Sequence, residues 1–178
     1  MERFQASATS TGEAIPAAPF MRPASPGDLP AIMAIERMPG FERHVGRSDE
    51  AEHRVMMASP AYAYRLAGGA GVEAFAILSG LGDPHRNLYL KRVAVSRPGE
   101  GLGTAFLGLV LEEAFGRLGA ERVSLDCFVG NARAQRAYEK LGFAREGVLR
   151  KAYRLSDGAR TDLVLMALLK SEREGGRG

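Results

Sequence analysis

Cysteine is nearly absent from this 178-residue chain: Cys127 stands alone and cannot pair within the chain, so a disulfide scaffold is excluded. Histidine is also sparse, at His44, His53 and His85, and one thiol with three scattered imidazoles predicts no metal site. Long apolar runs are missing. The longest, Leu163 to Leu169, falls far short of the ~20 residues that cross a bilayer. The N-terminus lacks the basic-then-apolar pattern of a secretory signal, which leads to the expectation of a cytoplasmic protein without a membrane partner. Basic blocks are missing as well. The 24 Lys and Arg are interspersed with 21 Asp and Glu, leaving +3 overall and no basic-aromatic stripe, so nucleic acid is not an expected partner.

What remains is an ordinary globular composition, 46% hydrophobic and 25% charged, long enough to bury a core. Residues 1–19 are small and polar with little pattern and read as a disordered tail; residues 20–170 read as one domain and 171–178 as a frayed tail. A short strand at Phe20 to Arg22 precedes a helix opened by Ser25-Pro26-Gly27-Asp28. Ser48 starts a second helix, which Pro60 ends. Strands follow at Ala61 to Ala67 and Val72 to Ser79, joined by Gly68-Gly69-Ala70-Gly71, and at Leu88 to Val95. Leu102, Phe106, Leu109, Val110, Ala114 and Leu118 trace a helix face that Gly119 ends. Arg122 to Phe128 is a strand, Asn131 to Leu141 a helix, and Phe143 to Leu155 with Thr161 to Leu169 a hairpin around Asp157-Gly158. The order β-α-α-β-β-β-α-β-α-β-β is a mixed α/β (α+β) sheet of seven strands with four helices.

Two motifs carry chemistry. Pro98-Gly99-Glu100-Gly101-Leu102-Gly103-Thr104 lies between a strand and a helix. Glycines let the backbone approach a ligand, and the helix behind them offers unpaired N–H groups and the positive end of its dipole, a pyrophosphate-binding arrangement. The alternative is a turn that serves only strand–helix packing. Neither glycine register fits the dinucleotide pattern G-x-G-x-x-G, although Asp126 ends the next strand where a ribose-binding acid would sit, so a nucleotide-dependent α/β enzyme stays open as a rival. The second motif is Asn131-Ala-Arg-Ala-Gln-Arg-Ala-Tyr138-Glu-Lys-Leu-Gly142-Phe143. Asn131 and Tyr138 are seven apart and share a helix face, where a phenol could act as general acid; separately they would be an N-cap and a core aromatic.

Together, the strand, glycine loop, helix, strand and N-x6-Y-E-K-x-G-F resemble the GNAT superfamily of acetyl-CoA-dependent N-acetyltransferases. The resemblance runs over about residues 20–170 and is strongest from Leu88 to Phe143. The ending, from Glu146-Gly147-Val148-Leu149-Arg150 to Met166, looks like the ribosomal-protein N-terminal and small-amine branch. It implies a mainly antiparallel central sheet, acetyl-CoA as cosubstrate, and transfer of acetyl to a small-molecule amine or peptide N-terminus. By resemblance, the pyrophosphate loop is Pro98 to Gly103, with Arg97, Gly99, Gly101, Leu102, Gly103 and Thr104 toward the cofactor. Val93 and Val95 would flank the pantetheine arm with Asn131, and Tyr138 would face the sulfur as general acid. Three departures stand out. Pro98 holds the usual Gln/Arg place, the segment between Val95 and the loop is shorter than usual, and Tyr89 holds the place where many members carry a catalytic Glu. Glu73, His85 and Asp126 are the substitute candidates for general base. That gap also admits a non-catalytic acyl-CoA binding or sensing module on the same fold. Cys127 reads as a small buried apolar residue. Symmetry statistics and the resemblance suggest a homodimer.

Overall fold

A computed structural model describes residues 20–42, 44–69, 71–155 and 157–175. The expected N-terminal tail lies outside the described residues. Seven strands form one sheet in the order β1-β2-β3-β4-β5-β7-β6: β1 (Met21–Pro23), β2 (Tyr62–Ala67), β3 (Ala74–Ser79), β4 (Asn87–Val95), β5 (Arg122–Phe128), β6 (Ala144–Arg154) and β7 (Arg160–Leu169). All neighbours are antiparallel except β4 and β5. The helices are α1 (Leu29–Glu36), α2 (Glu50–Ala58), α3 (Leu102–Phe115), α4 (Ala132–Lys140) and α5 (Lys170–Gly175). Among the described residues, no helix is long and apolar enough to cross a membrane.

Two differences from the sequence reading concern helix ends. α3 stops at Phe115, short of Gly119, because the chain turns out at Gly116 and Ala120 N–H donates back to Ala114 O at 2.9 Å. The segment expected to fray from residue 171 is helical through Gly175: Glu172 Oε2 accepts from Leu169 N–H at 2.9 Å, and the Arg173 guanidinium lies 5.9 Å from the Phe115 ring centroid.

The sheet has a core on each face. α3 buries Phe106, Leu107, Val110, Leu111, Ala114 and Phe115 at helical spacing against Leu125, Val164 and Met166. Leu29, Ile32 and Ile35 of α1 cover Phe75 and Ile77 on the other face. Fully burying each such side chain contributes roughly 1.5–3 kcal/mol. Arg65 of β2 is tied to Glu113 of α3 by two hydrogen bonds, at 2.6 and 2.8 Å, which couples sheet to helix.

Two features of β4 position the site. Parallel pairing with β5 covers only Asn87–Tyr89 opposite Arg122–Ser124, and beyond that the strands splay into a fork. The register against β3 also slips: Ile77 faces Arg92 while Leu78 faces Leu90, leaving Lys91 as an extra, bulged residue. Before the bulge, Leu88 and Leu90 belong to the α3-side core. After it, Val93 and Val95 pack on that side, while Ala94 joins the core under α1 and Arg92 reaches Glu36 of α1.

Candidate functional site

The fork opens into a cavity of about 730 Å³, walled by β4, the end of β5, the glycine loop, the start of α4 and the segment between α1 and α2. Of the residues singled out in the sequence, Val93, Val95, Gly99, Gly101, Gly103 and Thr104 are on its wall, joined by Asp126, Asn131 and Tyr138. Glu73, His85, Arg97 and Leu102 are not. Leu102 packs its side chain against the α3-side core. His85 is exposed in the β3–β4 loop. Glu73 accepts from Arg97 Nη2 at 2.6 Å, and Arg97 also pairs with Glu100 at 3.5 Å, so both would-be site residues are spent on a surface ion pair.

The glycine loop is built from backbone. Gly99 and Gly101 have φ of 103° and 81°, a region that costs an L side chain roughly 1–2 kcal/mol, and a Cβ at either would meet open space. Gly101 is the N-cap of α3 and, among the described residues, no side chain caps that helix end. By contrast, Asp49 caps α2 and Asn131 caps α4, accepting from Glu52 N–H at 2.8 Å and Ala134 N–H at 3.1 Å. The first N–H groups of α3 are therefore available to an anion, with the helix dipole behind them. Arg133, Arg136 and Lys140 add positive charge from one face of α4. All three lie within the second motif, and their spacing of three and four places them together, although the motif by itself does not mark them as site residues.

Tyr138 is buried against Phe143, ring centroids 5.8 Å apart. Burial, and less strongly Cys127 and Asp126 nearby, push its phenol above the usual range, so it stays protonated. Its hydroxyl has no hydrogen-bond partner among the described residues and is free to donate into the cavity. Gln135, one turn earlier, clips α4 to the end of β5 by donating to Phe128 O at 3.2 Å and Val129 O at 2.9 Å. Burial, with Asp126 next, pushes the Cys127 thiol up to about 11, so it is a neutral thiol at physiological pH and a poor nucleophile.

Where β4 and β5 part, the Tyr89 hydroxyl donates to Asp126 Oδ2 at 2.5 Å. Burial and that carboxylate raise the Tyr89 phenol, which keeps its proton. Asp126 is thus held in the fork by the very residue that replaces the expected Glu. Of the three base candidates, it alone reaches the cavity.

The wall facing α1 and α2 is made of side chains. Glu36, fully buried at the end of α1, accepts from Arg92 Nη1, lies 3.3 Å from His53 Nε2 and 3.5 Å from Ser48 N. His53 Nδ1 is in turn 2.9 Å from the Tyr64 hydroxyl. Burial alone would raise the Glu36 carboxyl, but His53 and Arg92 outweigh it and hold it below its usual range. Arg92 Nη2 reaches Ser48 Oγ at 3.4 Å, whereas Arg92 Nε is buried without a partner among the described residues. Spacing alone gave no signal for this cluster, whose members lie up to 56 residues apart.

Comparison with known proteins agrees with this geometry. The sequence profile of the acetyltransferase (GNAT) family matches residues 34–143. YdaF of Bacillus subtilis (strain 168), provisionally named a ribosomal N-acetyltransferase, is 35% identical over 83 residues, 47% of this chain. The chain spans about half the length of this curated relative, 45%. A crystal structure provisionally titled an acetyltransferase is 30% identical with a TM-score of 0.72, covering 89% of this chain and 92% of that one. Another, from T. thermophilus, is also 30% identical with a TM-score of 0.72, covering 87% of each chain. The spermidine N-acetyltransferase SpeG of Vibrio cholerae, in a mutant form, shares the fold at a TM-score of 0.78, covering 90% of this chain and 99% of that one at 18% identity.

Proposed function

The chain belongs to the acetyltransferase (GNAT) family, and we propose that it is an acetyl-CoA-dependent N-acetyltransferase acting on a primary amine, with residues 20–170 as its single catalytic domain. The observation that carries the reading is one cavity flanked on one side by an uncapped helix N-terminus behind a glycine loop, and at the fork by a carboxylate and a free phenol. The residues present fit acetyl-CoA. Open space beside Gly99 and Gly101 admits a pyrophosphate to the α3 N–H groups, and Arg133, Arg136 and Lys140 supply charge for phosphates. Val93 and Val95 flank the arm, and Asn131 is its polar neighbour at the head of α4.

Bound there, acetyl-CoA supplies a thioester carbonyl that a neutral amine can attack. Asp126 takes the proton the amine must lose, directly or through water. Tyr89 occupies Oδ2, leaving Oδ1 without a partner among the described residues as the accepting atom. For an amine of pKa ~10.4 this deprotonation costs about 4.6 kcal/mol at pH 7, and for an α-amine near 8 about 1.4 kcal/mol. Tyr138 donates toward the departing thiolate as the carbon–sulfur bond breaks.

The test is acetyl-CoA turnover against amino acid amides, polyamines, aminoglycosides and peptide N-termini, followed by the pH dependence of wild type and Asp126→Asn. We expect turnover of at least one amine, and a loss in Asp126→Asn of about 10²-fold at pH 7 that shrinks as pH rises and the amine neutralises itself. CoA binding without turnover of any amine would turn the reading to a sensing module. A thermal shift with NAD and none with CoA would overturn it.

A further inference from the structure

The core under α1 and α2 draws its strand residues from β2, β3 and β4: Tyr64, Leu66, Phe75, Ile77 and Ala94. Beyond the fork, the same face of the sheet carries a separate apolar group. Leu125 and Cys127 of β5 belong to the α3-side core, so the alternation of a strand turns Asp126 and Phe128 to the opposite face. Phe128 stands opposite Leu163 of β7, and the Tyr153 ring of β6 meets Phe128 edge-on, centroids 4.9 Å apart. Phe128 and Leu163 are 7% and 6% exposed, yet among the described residues neither belongs to the core on either face. What surface they keep, with that of the half-buried Tyr153, is on the cavity wall. Phe41 and Val45, from the segment between α1 and α2, line the same cavity.

Register fixes where this group lies relative to the reacting atoms. Asp126 and Phe128 are two residues apart on one strand face, roughly 7 Å along the chain. An amine whose nitrogen meets Asp126 can therefore lay a substituent two or three bonds away against Phe128 and Tyr153. The charged side chains on the α1–α2 side of the wall are engaged elsewhere. Arg92 is held by Glu36, Arg47 pairs with Glu42 at 3.6 Å, and Glu52 accepts from Asp49 N–H at 3.1 Å in the cap of α2. Lys91 is exposed on the bulge.

We propose that Phe128, Leu163 and Tyr153 form the acceptor's side-chain subsite, with Tyr153 as a specificity-determining residue, so that preferred acceptors carry a large apolar group beside the reactive amine, as hydrophobic amino acid derivatives and arylalkylamines do. The inference rests on the acetyltransferase reading above. An apolar substituent entering there leaves water for a surface that is already apolar and already in place, so it costs the protein little ordering.

The experiment compares kcat/KM, expressed per neutral amine, in two pairs of acceptors: phenylalaninamide against glycinamide, and phenethylamine against ethylamine. Each pair keeps the type of amine and changes the apolar group. In the wild type the larger member of each pair is expected to lead by about 10- to 100-fold, the worth of burying one Leu- or Phe-sized group. Tyr153→Ala should bring both ratios down toward one while CoA still stabilises the protein, and Tyr153→Phe, which keeps the ring, should preserve them. A purely structural role would lower all four acceptors alike in Tyr153→Ala and leave the ratios standing, which overturns the proposal. Glycinamide and ethylamine used as well as their larger partners by the wild type overturns it without any variant. A dimer that Tyr153→Ala dissociates would give the apolar group to a second copy of the chain and overturn it as well. CoA binding with no acetyl transfer to any amine instead removes the catalytic reading, and this inference with it.

Discussion

The two walls of the cavity are made of different materials. The glycine loop and the head of α3 present backbone N–H groups and no side-chain cap. The wall facing α1 and α2 presents Arg92 and Ser48, which a side-chain network with Glu36 and His53 fixes from behind. A backbone site depends on conformation and on what is left out. Conservative changes nearby cost it little, whereas one Cβ in the wrong place costs it everything. A side-chain site depends on every partner being present, and one deletion leaves a buried charge unmatched. On the proposed function the same contrast divides labour: the backbone wall would hold the acetyl donor, and the side-chain wall would meet the acceptor.

The comparison breaks most visibly at Glu36. Glu36→Gln leaves Arg92 buried beside a neutral amide and should cost about 3–5 kcal/mol of stability by chemical denaturation. CoA affinity of the folded fraction should barely change, because the backbone wall is untouched. The pH dependence sharpens the point. The folded-state carboxyl is held below its ordinary value of ~4.3, so its stabilisation is complete above that pH and is lost as pH falls through the lower folded value. The wild type should therefore show an acid-unfolding limb that Glu36→Gln flattens; equal limbs would show that other carboxylates carry it.

On the backbone wall, the matching change is Gly101→Val. A β-branched residue at φ 81° costs roughly 1–2 kcal/mol and projects into the space left for phosphates. The wild type at ~100 Kd of CoA should gain about 2.7 kcal/mol of stability, and the variant should gain none while remaining folded. Isothermal titration finding wild-type CoA affinity in the folded variant would reduce the loop to a packing turn.

Tyr138→Phe is gentler. Its hydroxyl has no partner among the described residues, so stability should hold, while kcat falls by about 10- to 100-fold with KM for acetyl-CoA nearly unchanged. The pH profile should carry no limb from this phenol, whose burial raises it out of range. Smallest of all is Cys127→Ala, which should leave activity intact and lose about 0.8 kcal/mol, the worth of one buried methylene. Loss of activity there would show that the thiol takes part in the reaction.

The contrast also explains what the sequence made readable. The glycine loop and the head of α4 are contiguous, and each is announced by residues with local reasons to be there: Gly99 and Gly101 for positive φ, Asn131 for a cap. The order of elements along the chain and most element ends follow from the same local logic. Arg92 reads as one more polar residue in a strand, and Glu36 as an acid at the end of a helix. Only the fold, bringing residues 36 and 92 together, makes them a pair. Tyr89 reads as standing in a glutamate's place, but its grip on Asp126 depends on where the fork begins. The C-terminal helix escapes a sequence reading because its support comes from Phe115, more than fifty residues earlier in the chain.

The bulge at Lys91 has a consequence for how this chain can vary in length. Because β4 changes phase there, its first half and its second half obey opposite parity rules, and one extra residue reconciles them. Removing Lys91 would restore an unbroken pleat: Leu90 and Arg92 already sit opposite the neighbouring residues Leu78 and Ile77, so Val93 and Val95 would stay on the α3 side and Ala94 on the α1 side. Substitution at Lys91 should be tolerated freely, since its side chain is exposed, and its deletion should straighten β4 without turning any residue over. Changes of length within this strand should thus fall at Lys91 itself, a frame constraint written in backbone register and carried by no particular side chain.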